Sequence, residues 1–176
     1  VMGSIVGSRA TLHHVRDKRS LRAEMRALRR AIAADPADRA ARSARIWARV
    51  LEVTGLHGGQ RVLLFESLPT EPDTTEWFAW CREHDVAAHW PVVDDDHLRV
   101  EPGDLDPTVL DVAVVPGLAY TADGRRLGQG GGHFDRFLPR LRPDCVTVGV
   151  AFAEQLLDDL PTEPHDARVH HVVTDA

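Results

Sequence analysis

The chain has 176 residues, the length of one domain, and 43% of them are hydrophobic, as in an ordinary globular protein. Its formal charge of −6 argues against a general nucleic-acid binder, which would carry a basic excess. Since no apolar run is long enough to cross a bilayer, we expect a cytoplasmic monomer without a nucleic-acid or membrane partner.

The first segment combines an irregular leader with a basic helix. Residues 1–14 show no periodicity, which predicts a disordered leader before a single domain at residues 15–176. From about Val15 the pattern is helical, and Lys18 and Arg22, four residues apart, project from a common face. This face is either solvated or contacts an anionic ligand. The apolar stripe of the helix is Leu21, Met25, Leu28 and Ile32.

A second helix follows with clear signals at both ends. Asp35 and Pro36 are typical of an N-cap and a first helical position, and Gly55 is typical of a C-terminal stop. Two helices before the first strand predict an antiparallel pair packed on a sheet. The predicted apolar stripe of the second helix is Ala37, Ala41, Ala44, Ala48 and Leu51.

The first strand and the loop after it are predicted from a short apolar run. Residues 62–65 read Val-Leu-Leu-Phe, which is typical of a strand buried on both faces. The loop at 66–72 follows its carboxyl end, where α/β sheets carry ligand contacts. Asp73 is predicted to cap the next helix, with Glu76 completing a capping box. Core-facing residues of that helix are Trp77, Trp80 and Cys81.

Further strands define the fold class. Residues 87–93 predict a strand interrupted at Pro91 and therefore near an edge or an end, and residues 94–97 predict a hairpin turn. Helices between apolar strands predict an α/β fold: a single three-layer domain with a largely parallel mixed sheet flanked by helices, after the N-terminal helical pair. The remaining buried strands are expected at residues 112–115, 146–151 and 169–174.

A glycine-rich stretch dominates the second half of the chain. Residues 126–136 read RLGQGGGHFDR, with glycine at four of the five positions from 128 to 132. A strand, a glycine loop and a helix start present backbone N–H groups and a positive helix end to an anion. Asp135 would repel a phosphate unless a cation lay between them, which favours a Mg²⁺-bound polyphosphate. A glycine turn without a ligand is the alternative, because the spacing matches neither the P-loop nor the dinucleotide motif.

The sequence resembles one enzyme family over most of its length. The block VVPGLAYTADGRRLGQGGGHFDRFL at 114–138 is similar to the signature of the 5-formyltetrahydrofolate cyclo-ligase family. Segments 18–22, 71–74 and 164–166 agree with that family in order and spacing. The resemblance implies ATP- and Mg²⁺-dependent closure of 5-formyltetrahydrofolate to 5,10-methenyltetrahydrofolate, with release of ADP and phosphate after phosphorylation of the formyl oxygen.

The resemblance also implies the roles of individual residues. Asp135 and Asp166 would bind Mg²⁺, and Arg126 and Asp135 would be catalytic. The residues that would bind nucleotide are Lys18, Arg19, Ser20, Leu21, Arg22, Arg126, Leu127, Gly128, Gln129, Gly130, Gly131, Gly132, His133 and Phe134. Those that would bind the folate are Glu66, Glu71, Gln129, Gly130, Gly131, Gly132 and His133.

Three departures from the family pattern keep other functions open. Gln129 stands where many relatives carry arginine, His133 and Phe134 stand where many carry two tyrosines, and Glu66 replaces an apolar or aromatic residue. A non-catalytic folate- or nucleotide-binding protein on the same scaffold is therefore one alternative. An ATP-dependent kinase or ligase acting on another small molecule is a second.

Histidines near the C-terminal end admit a different metal site. His165, His170 and His171 flank Asp166, and a zinc site is conceivable there. Histidines beside a terminal strand explain the pattern better, because no further ligands appear at motif spacing. Cys81 and Cys145 form no C-x-x-C pattern and are predicted to be buried thiols.

Overall fold

The computed structural model describes residues 17–95 and 97–176, so the predicted leader and the helix start near Val15 lie outside the described residues. The helices are α1 (Lys18–Ile32), α2 (Pro36–Thr54), α3 (Thr75–Glu83) and α4 (His133–Phe137). The strands are β1 (Arg61–Leu63), β2 (Ala87–Asp94), β3 (His97–Glu101), β4 (Val112–Pro116), β5 (Ala119–Tyr120), β6 (Arg126–Leu127), β7 (Val146–Val150) and β8 (His171–Val173).

The main sheet has six strands in the order β3-β2-β1-β4-β7-β8. Every neighbouring pair in it is parallel except β2 and β3, which form an antiparallel hairpin. Helices α2 and α3 pack on one face, and α4 packs on the other. The predicted three-layer α/β fold with a largely parallel mixed sheet is therefore confirmed.

The chain reverses its direction across the sheet between β1 and β4. From β1 it proceeds to β2 on one side, whereas β4, β7 and β8 follow on the other side. At such a switch point the loops leave the carboxyl ends of the two strands in opposite directions and open a crevice between them. The sheet order therefore identifies the carboxyl ends of β1 and β4 as the place for a ligand.

Strand β4 supplies the centre of the core because it is buried on both faces. Val112 and Val114 pack with α2 and α3, and Ala113 and Val115 pack with the opposite cluster. This alternation follows from the two-residue period of a strand. It explains why the predicted strand at 112–115 reads as a continuous apolar run.

Helix α2 has the predicted ends but buries a different face. Asp35 caps it through the backbone N–H groups of residues 37 and 38, and Gly55 ends it with a left-handed φ of 61°. The predicted alanine stripe is wrong, because Ala37, Ala41, Ala44 and Ala48 are exposed. Larger side chains occupy the buried face instead, because their burial removes more apolar area from water. The buried residues are Arg42, Ser43, Ile46, Trp47 and Val50.

Helix α1 packs against a small hairpin rather than on the main sheet. Asp17 caps it by accepting from the backbone N–H of Ser20. Its buried Leu21 and Met25 join a cluster with residues of the β5–β6 hairpin and with Leu160. This differs from the expectation that both N-terminal helices pack on the sheet. Helix α1 therefore lies along one wall of the crevice.

Two local predictions need correction. Strand β2 continues through Pro91, which pairs only with β3 because the pairing with β1 ends at His89. Proline has no N–H for a ladder, so it is tolerated where one side of the strand is unpaired. Helix α3 begins at Thr75 rather than directly after Asp73; Asp73 accepts from the Thr75 N–H, and the Thr74 hydroxyl donates to the Phe65 carbonyl.

Other sequence predictions hold. Cys81 and Cys145 are free and buried, as expected, and burial raises the pKa of each thiol to about 11. Among residues 17–95 and 97–176, no helix combines the length and the apolar character that a membrane span requires.

Candidate functional site

A cavity of about 250 Å³ lies at the switch point between β1 and β4. Glu71 reaches it from the loop after β1, and Pro116 and Gly117 reach it from the end of β4. The other lining residues are Lys18, Arg22, Pro91, Val93, Leu98, Arg126, Leu127, Gly128, Gln129, Gly130, Gly131, Gly132, His133, Phe134, Asp135, Glu163, His165 and Asp166.

Lys18 joins the start of α1 to the segment around Asp166. Its Nζ lies 2.6 Å from Glu163 Oε2 and 2.8 Å from Asp166 Oδ2. Burial alone would lower the pKa of Lys18, but the hydrogen bonds to Asp166 and Glu163 raise it above its ordinary value. Burial likewise opposes ionisation of Asp166, yet bonds from Lys18 and the Glu163 amide lower its pKa. The ammonium and both carboxylates are therefore charged at neutral pH.

The glycine loop lines the cavity and contains backbone N–H donors without a described partner. Gly130 has a φ of 116° and Gly132 a φ of 65°, backbone angles that residues with a side chain rarely adopt. The N–H groups of Gln129, Gly130 and Gly131 donate no hydrogen bond to any residue in the described ranges. Successive free N–H groups in such a turn form an anion-binding concavity.

Two arginines of α1 hold the carbonyl oxygens of this loop. Arg22 Nε donates to the Gly128 carbonyl at 3.0 Å. One turn later, Arg26 donates to the Gln129 carbonyl at 3.2 Å and to the Gln129 side-chain oxygen at 3.0 Å and 3.2 Å. The loop is thus attached to α1 through both its backbone and a side chain.

The two predicted catalytic residues, Arg126 and Asp135, form an ion pair in the cavity wall. Arg126 Nη2 lies 2.8 Å from Asp135 Oδ1, and the two side chains are 4% and 17% exposed. The same carboxylate oxygen accepts from the Ala167 N–H at 3.2 Å, which brings Asp135 beside Asp166. Arg126 also lies over the Phe134 ring, 5.6 Å from its centroid. Asp135 is therefore bonded to the segment that carries Asp166, and both predicted metal ligands line the same cavity.

Glu71, which also lines the cavity, is held in place by a buried arginine. Arg29 Nη2 lies 3.2 Å from Glu71 Oε1, and the Leu68 N–H donates to Glu71 Oε2 at 3.0 Å. Arg29 also binds the carbonyl and hydroxyl of Thr70, and burial lowers the pKa of its guanidinium. A carboxylate held this firmly offers its remaining acceptor capacity in a defined direction.

The β2–β3 hairpin contributes an apolar wall. Pro91, Val93 and Leu98 line the cavity from this hairpin. Val93 is 52% exposed and adds apolar surface to this wall. The cavity therefore has a polar side made by the loop and an apolar side made by the hairpin, a combination typical of small-molecule sites.

The structure gathers most of the predicted site residues but not all of them. Arg19, Ser20, Leu21 and Glu66 do not line the cavity. Leu21 is buried in the core, Ser20 bonds to the cap residue of α1, and Arg19 and Glu66 are exposed. The other predicted nucleotide, folate and metal positions all contribute to the cavity lining.

The histidine cluster has a different membership from the one considered in the sequence. His170 accepts a hydrogen bond from the Thr147 N–H, and His171 is an exposed residue of β8. Ligand atoms of Glu163, His165 and Asp166 lie within 4.8 Å of one another. His165, His170 and His171 therefore do not form a zinc site together.

Sequence reasoning missed three contributors. Glu163 lies three residues before Asp166, and Arg26 and Arg29 lie four and seven residues after Arg22 on α1. Helical spacing was available as a signal for the two arginines, since residues three and four apart share a face. Their partners, Gln129 and Glu71, are distant in sequence, so no local pattern indicates these contacts.

Comparison with known proteins supports the resemblance stated above. The family model for the 5-formyltetrahydrofolate cyclo-ligase family matches residues 97–175, which include the glycine loop, Asp135 and Asp166. A protein of that name from Mycolicibacterium smegmatis is 42% identical over 64 residues, which is 36% of this chain and 33% of the relative. One from Mycoplasma pneumoniae is 25% identical over 119 residues, covering 65% of this chain and 72% of the relative. The matches to the first curated relatives thus span about a third of their length.

Solved structures extend the similarity to the N-terminal half. A 5,10-methenyltetrahydrofolate synthetase from Mycoplasma pneumoniae has a TM-score of 0.81 at 22% identity and covers 92% of this chain and 100% of its own. One from Aquifex aeolicus has a TM-score of 0.77 at 24% identity, covering 90% of this chain and 89% of its own. At these identities they show a shared fold. The family match, the curated relatives and the structural neighbours together confirm that this chain resembles the 5-formyltetrahydrofolate cyclo-ligase family.

Proposed function

We propose that the protein closes 5-formyltetrahydrofolate to 5,10-methenyltetrahydrofolate with consumption of Mg-ATP. One observation carries the proposal: a single cavity unites unpartnered loop N–H groups, the carboxylates of Asp135 and Asp166, and an anchored glutamate. The first two suit a magnesium-bound polyphosphate, and the third suits a heterocycle with N–H donors. The apolar wall beside them suits the aromatic part of a folate.

The residues present fit a magnesium ion. Asp135 and Asp166 each use one oxygen for internal hydrogen bonds, Oδ1 and Oδ2 respectively. Their other oxygens make no hydrogen bond to a described residue and belong to side chains that line the cavity. Mg²⁺ prefers hard oxygen ligands and is usually bound by one or two carboxylates together with substrate phosphates. The bound ion would supply charge neutralisation at the phosphates.

The polyphosphate would lie on the glycine loop. The N–H groups of Gln129, Gly130 and Gly131 bind its oxygens, and Arg22 and Lys18 supply positive charge from α1. Arg126 is held by Asp135 beneath the loop, so its guanidinium is oriented before the ligand binds. Such preorganised donors stabilise developing charge without reorganisation during the reaction.

The folate would lie between Glu71 and the hairpin. Glu71 accepts hydrogen bonds from the N–H edge of the pterin, and Arg29 holds this carboxylate in place. Pro91, Val93 and Leu98 exclude water from one side of the cavity. In this arrangement the N5-formyl group would face the polar side of the cavity, where the phosphates would lie.

The chemistry follows from the weak leaving ability of an amide oxygen. ATP supplies a phosphoryl group to the formyl oxygen, and ADP leaves. N10 then attacks the formyl carbon, the oxygen departs as phosphate, and the N10 proton is released. The protein's residues contribute alignment and charge stabilisation, and none of them needs to form a covalent bond.

The proposal is tested by mixing the purified protein with Mg-ATP and 5-formyltetrahydrofolate. We expect a new near-ultraviolet absorption band from the product and release of ADP that depends on the folate. Omitting ATP, omitting Mg²⁺ or heating the protein beforehand provides the controls. Folded protein that binds ATP but forms no product would contradict the proposal.

The same experiment separates the alternatives. A protein that binds both ligands in calorimetry but releases no ADP would be a binding protein on this scaffold. ADP release that requires a different small molecule would indicate a kinase or ligase with another substrate. The departures at Gln129, His133 and Phe134 make these controls necessary.

A further inference from the structure

The attachment of the glycine loop to α1 fixes the direction of its peptide groups. Arg22 and Arg26 lie four residues apart on one face of α1, and among the described residues their side chains donate only to this loop. They hold the carbonyl oxygens of Gly128 and Gln129 towards the helix. These two peptide groups are the ones that precede Gln129 and Gly130.

In a planar trans peptide the carbonyl and the following N–H point in opposite directions. With the Gly128 and Gln129 carbonyls turned towards the arginines, the N–H groups of Gln129 and Gly130 point away from them. Both of these N–H groups lack a hydrogen-bond acceptor in the described part of the chain. The arginines thus determine which side of the loop presents its donors.

The loop requires such a restraint because glycine is conformationally permissive. Four of its five residues from 128 to 132 are glycine, and Gly130 has a φ of 116°. An unrestrained loop of this composition would lose much conformational entropy when it closes on a ligand. Contacts that order it beforehand reduce this cost and increase affinity.

We propose that Arg26 is a positioning residue for the phosphate-binding loop, with the Gln129 side chain as its partner. Arg26 does not line the cavity, and it binds both the side-chain and backbone oxygens of Gln129. The Gln129 side-chain oxygen is therefore used in the attachment to α1. The inference rests on the proposed function for the identity of the ligand, but the ordering of the loop is measurable without any ligand.

The first experiment compares Arg26→Ala with Arg30→Ala in the full chain. Arg30 is the matched control because it lies four residues later on α1, is exposed, and makes no hydrogen bond or ion pair to a described residue. We expect Arg26→Ala to accelerate amide hydrogen exchange at residues 128–132 in the ligand-free protein. We also expect about tenfold weaker ATP binding in calorimetry, the loss expected for charge-assisted hydrogen bonds at a partly exposed site.

Further measurements separate positioning from a general effect on the fold. The melting temperature of Arg26→Ala should match that of Arg30→Ala, because the lost contacts are exposed. In activity assays, KM for ATP should rise more than kcat falls. A change of similar size in melting temperature and exchange throughout the chain would overturn the assignment.

A side-chain exchange provides the second test. Gln129→Arg places two guanidinium groups together and should loosen the loop, whereas Arg26→Gln combined with Gln129→Arg restores a donor and acceptor pair. We expect the double variant to recover loop protection and ATP affinity relative to either single variant. Independent, additive losses would overturn the proposal.

The outcomes also distinguish this inference from the proposed function. If the unmodified protein binds no ATP, the proposed function fails, while hydrogen exchange still decides whether Arg26 orders the loop. If ATP binds and Arg26→Ala matches Arg30→Ala in loop exchange and affinity, the positioning role is wrong and the proposed function stands.

Discussion

The Arg126–Asp135 pair provides the sharpest test because its structural and chemical roles separate by substitution. Asp135→Ala leaves the Arg126 guanidinium, 4% exposed, without its partner. Breaking a buried pair costs 3–5 kcal/mol, and we take about 3 kcal/mol because Asp135 itself is 17% exposed. For a chain of this length, that loss lowers the melting temperature by roughly 6–12 °C.

Asp135→Asn should behave differently. The amide oxygen still accepts from Arg126 and from the Ala167 N–H, so we expect a loss of only about 1 kcal/mol. The substitution removes the negative charge that would bind Mg²⁺, and turnover should fall by roughly a hundredfold or more. Asp135→Asn therefore keeps most of the stability and loses activity, whereas Asp135→Ala loses activity together with about 3 kcal/mol of stability.

Urea unfolding and calorimetry measure the stabilities, and folate-dependent ADP release measures activity. Asp158→Ala is a suitable control, because Asp158 is exposed and bonds to no described residue. An Asp135→Ala variant that unfolds within 0.5 kcal/mol of this control, roughly the spread of neutral surface substitutions, would refute the stability reasoning. An Asp135→Asn variant with full turnover would refute the metal assignment.

Three other substitutions test separate parts of the structure. Lys18→Met removes the ammonium group that pairs with Asp166. Mn²⁺ alone should then bind several-fold more tightly, whereas ATP should bind more weakly. An unchanged Mn²⁺ affinity in calorimetry would contradict this. Burial lowers the pKa of His89, so its imidazole resists protonation in the folded protein. The free energy of unfolding should therefore be highest above the ordinary pKa of 6.5 and should decline as pH falls below it. In His89→Leu the urea midpoint should depend less on pH over this range. Gly149→Ala places a methyl group 2.3 Å from the Tyr120 ring and should cost about 1–3 kcal/mol in urea unfolding; a neutral result would mean that the ring can move.

Local signals in the sequence predicted the elements of the fold well. The capping residues Asp35 and Gly55 and the apolar run at 112–115 each report on physics within a few residues. The buried face of α2 was not predictable in this way. Its alanines form a regular stripe, but burial is decided by the partner surface, which accepts Ile46, Trp47 and Val50.

The site was predictable in its parts but not in its assembly. The glycine loop and the carboxylates at 135 and 166 have recognisable local patterns, and the cavity contains all of them. The contacts that hold them, such as Arg29 with Glu71, join residues that only the strand order brings together. Strand order is determined by long-range packing, which no local pattern encodes.

Because the chain reverses its direction across the sheet between β1 and β4, different segments of the chain form the two sides of the cavity. The hairpin of β2 and β3, on one side, supplies the apolar wall, while the glycine loop follows β4 on the other. Exchange of the hairpin with that of a relative should therefore alter preference for the organic ligand without changing the glycine loop. The scaffold accordingly offers a modular route to new specificity.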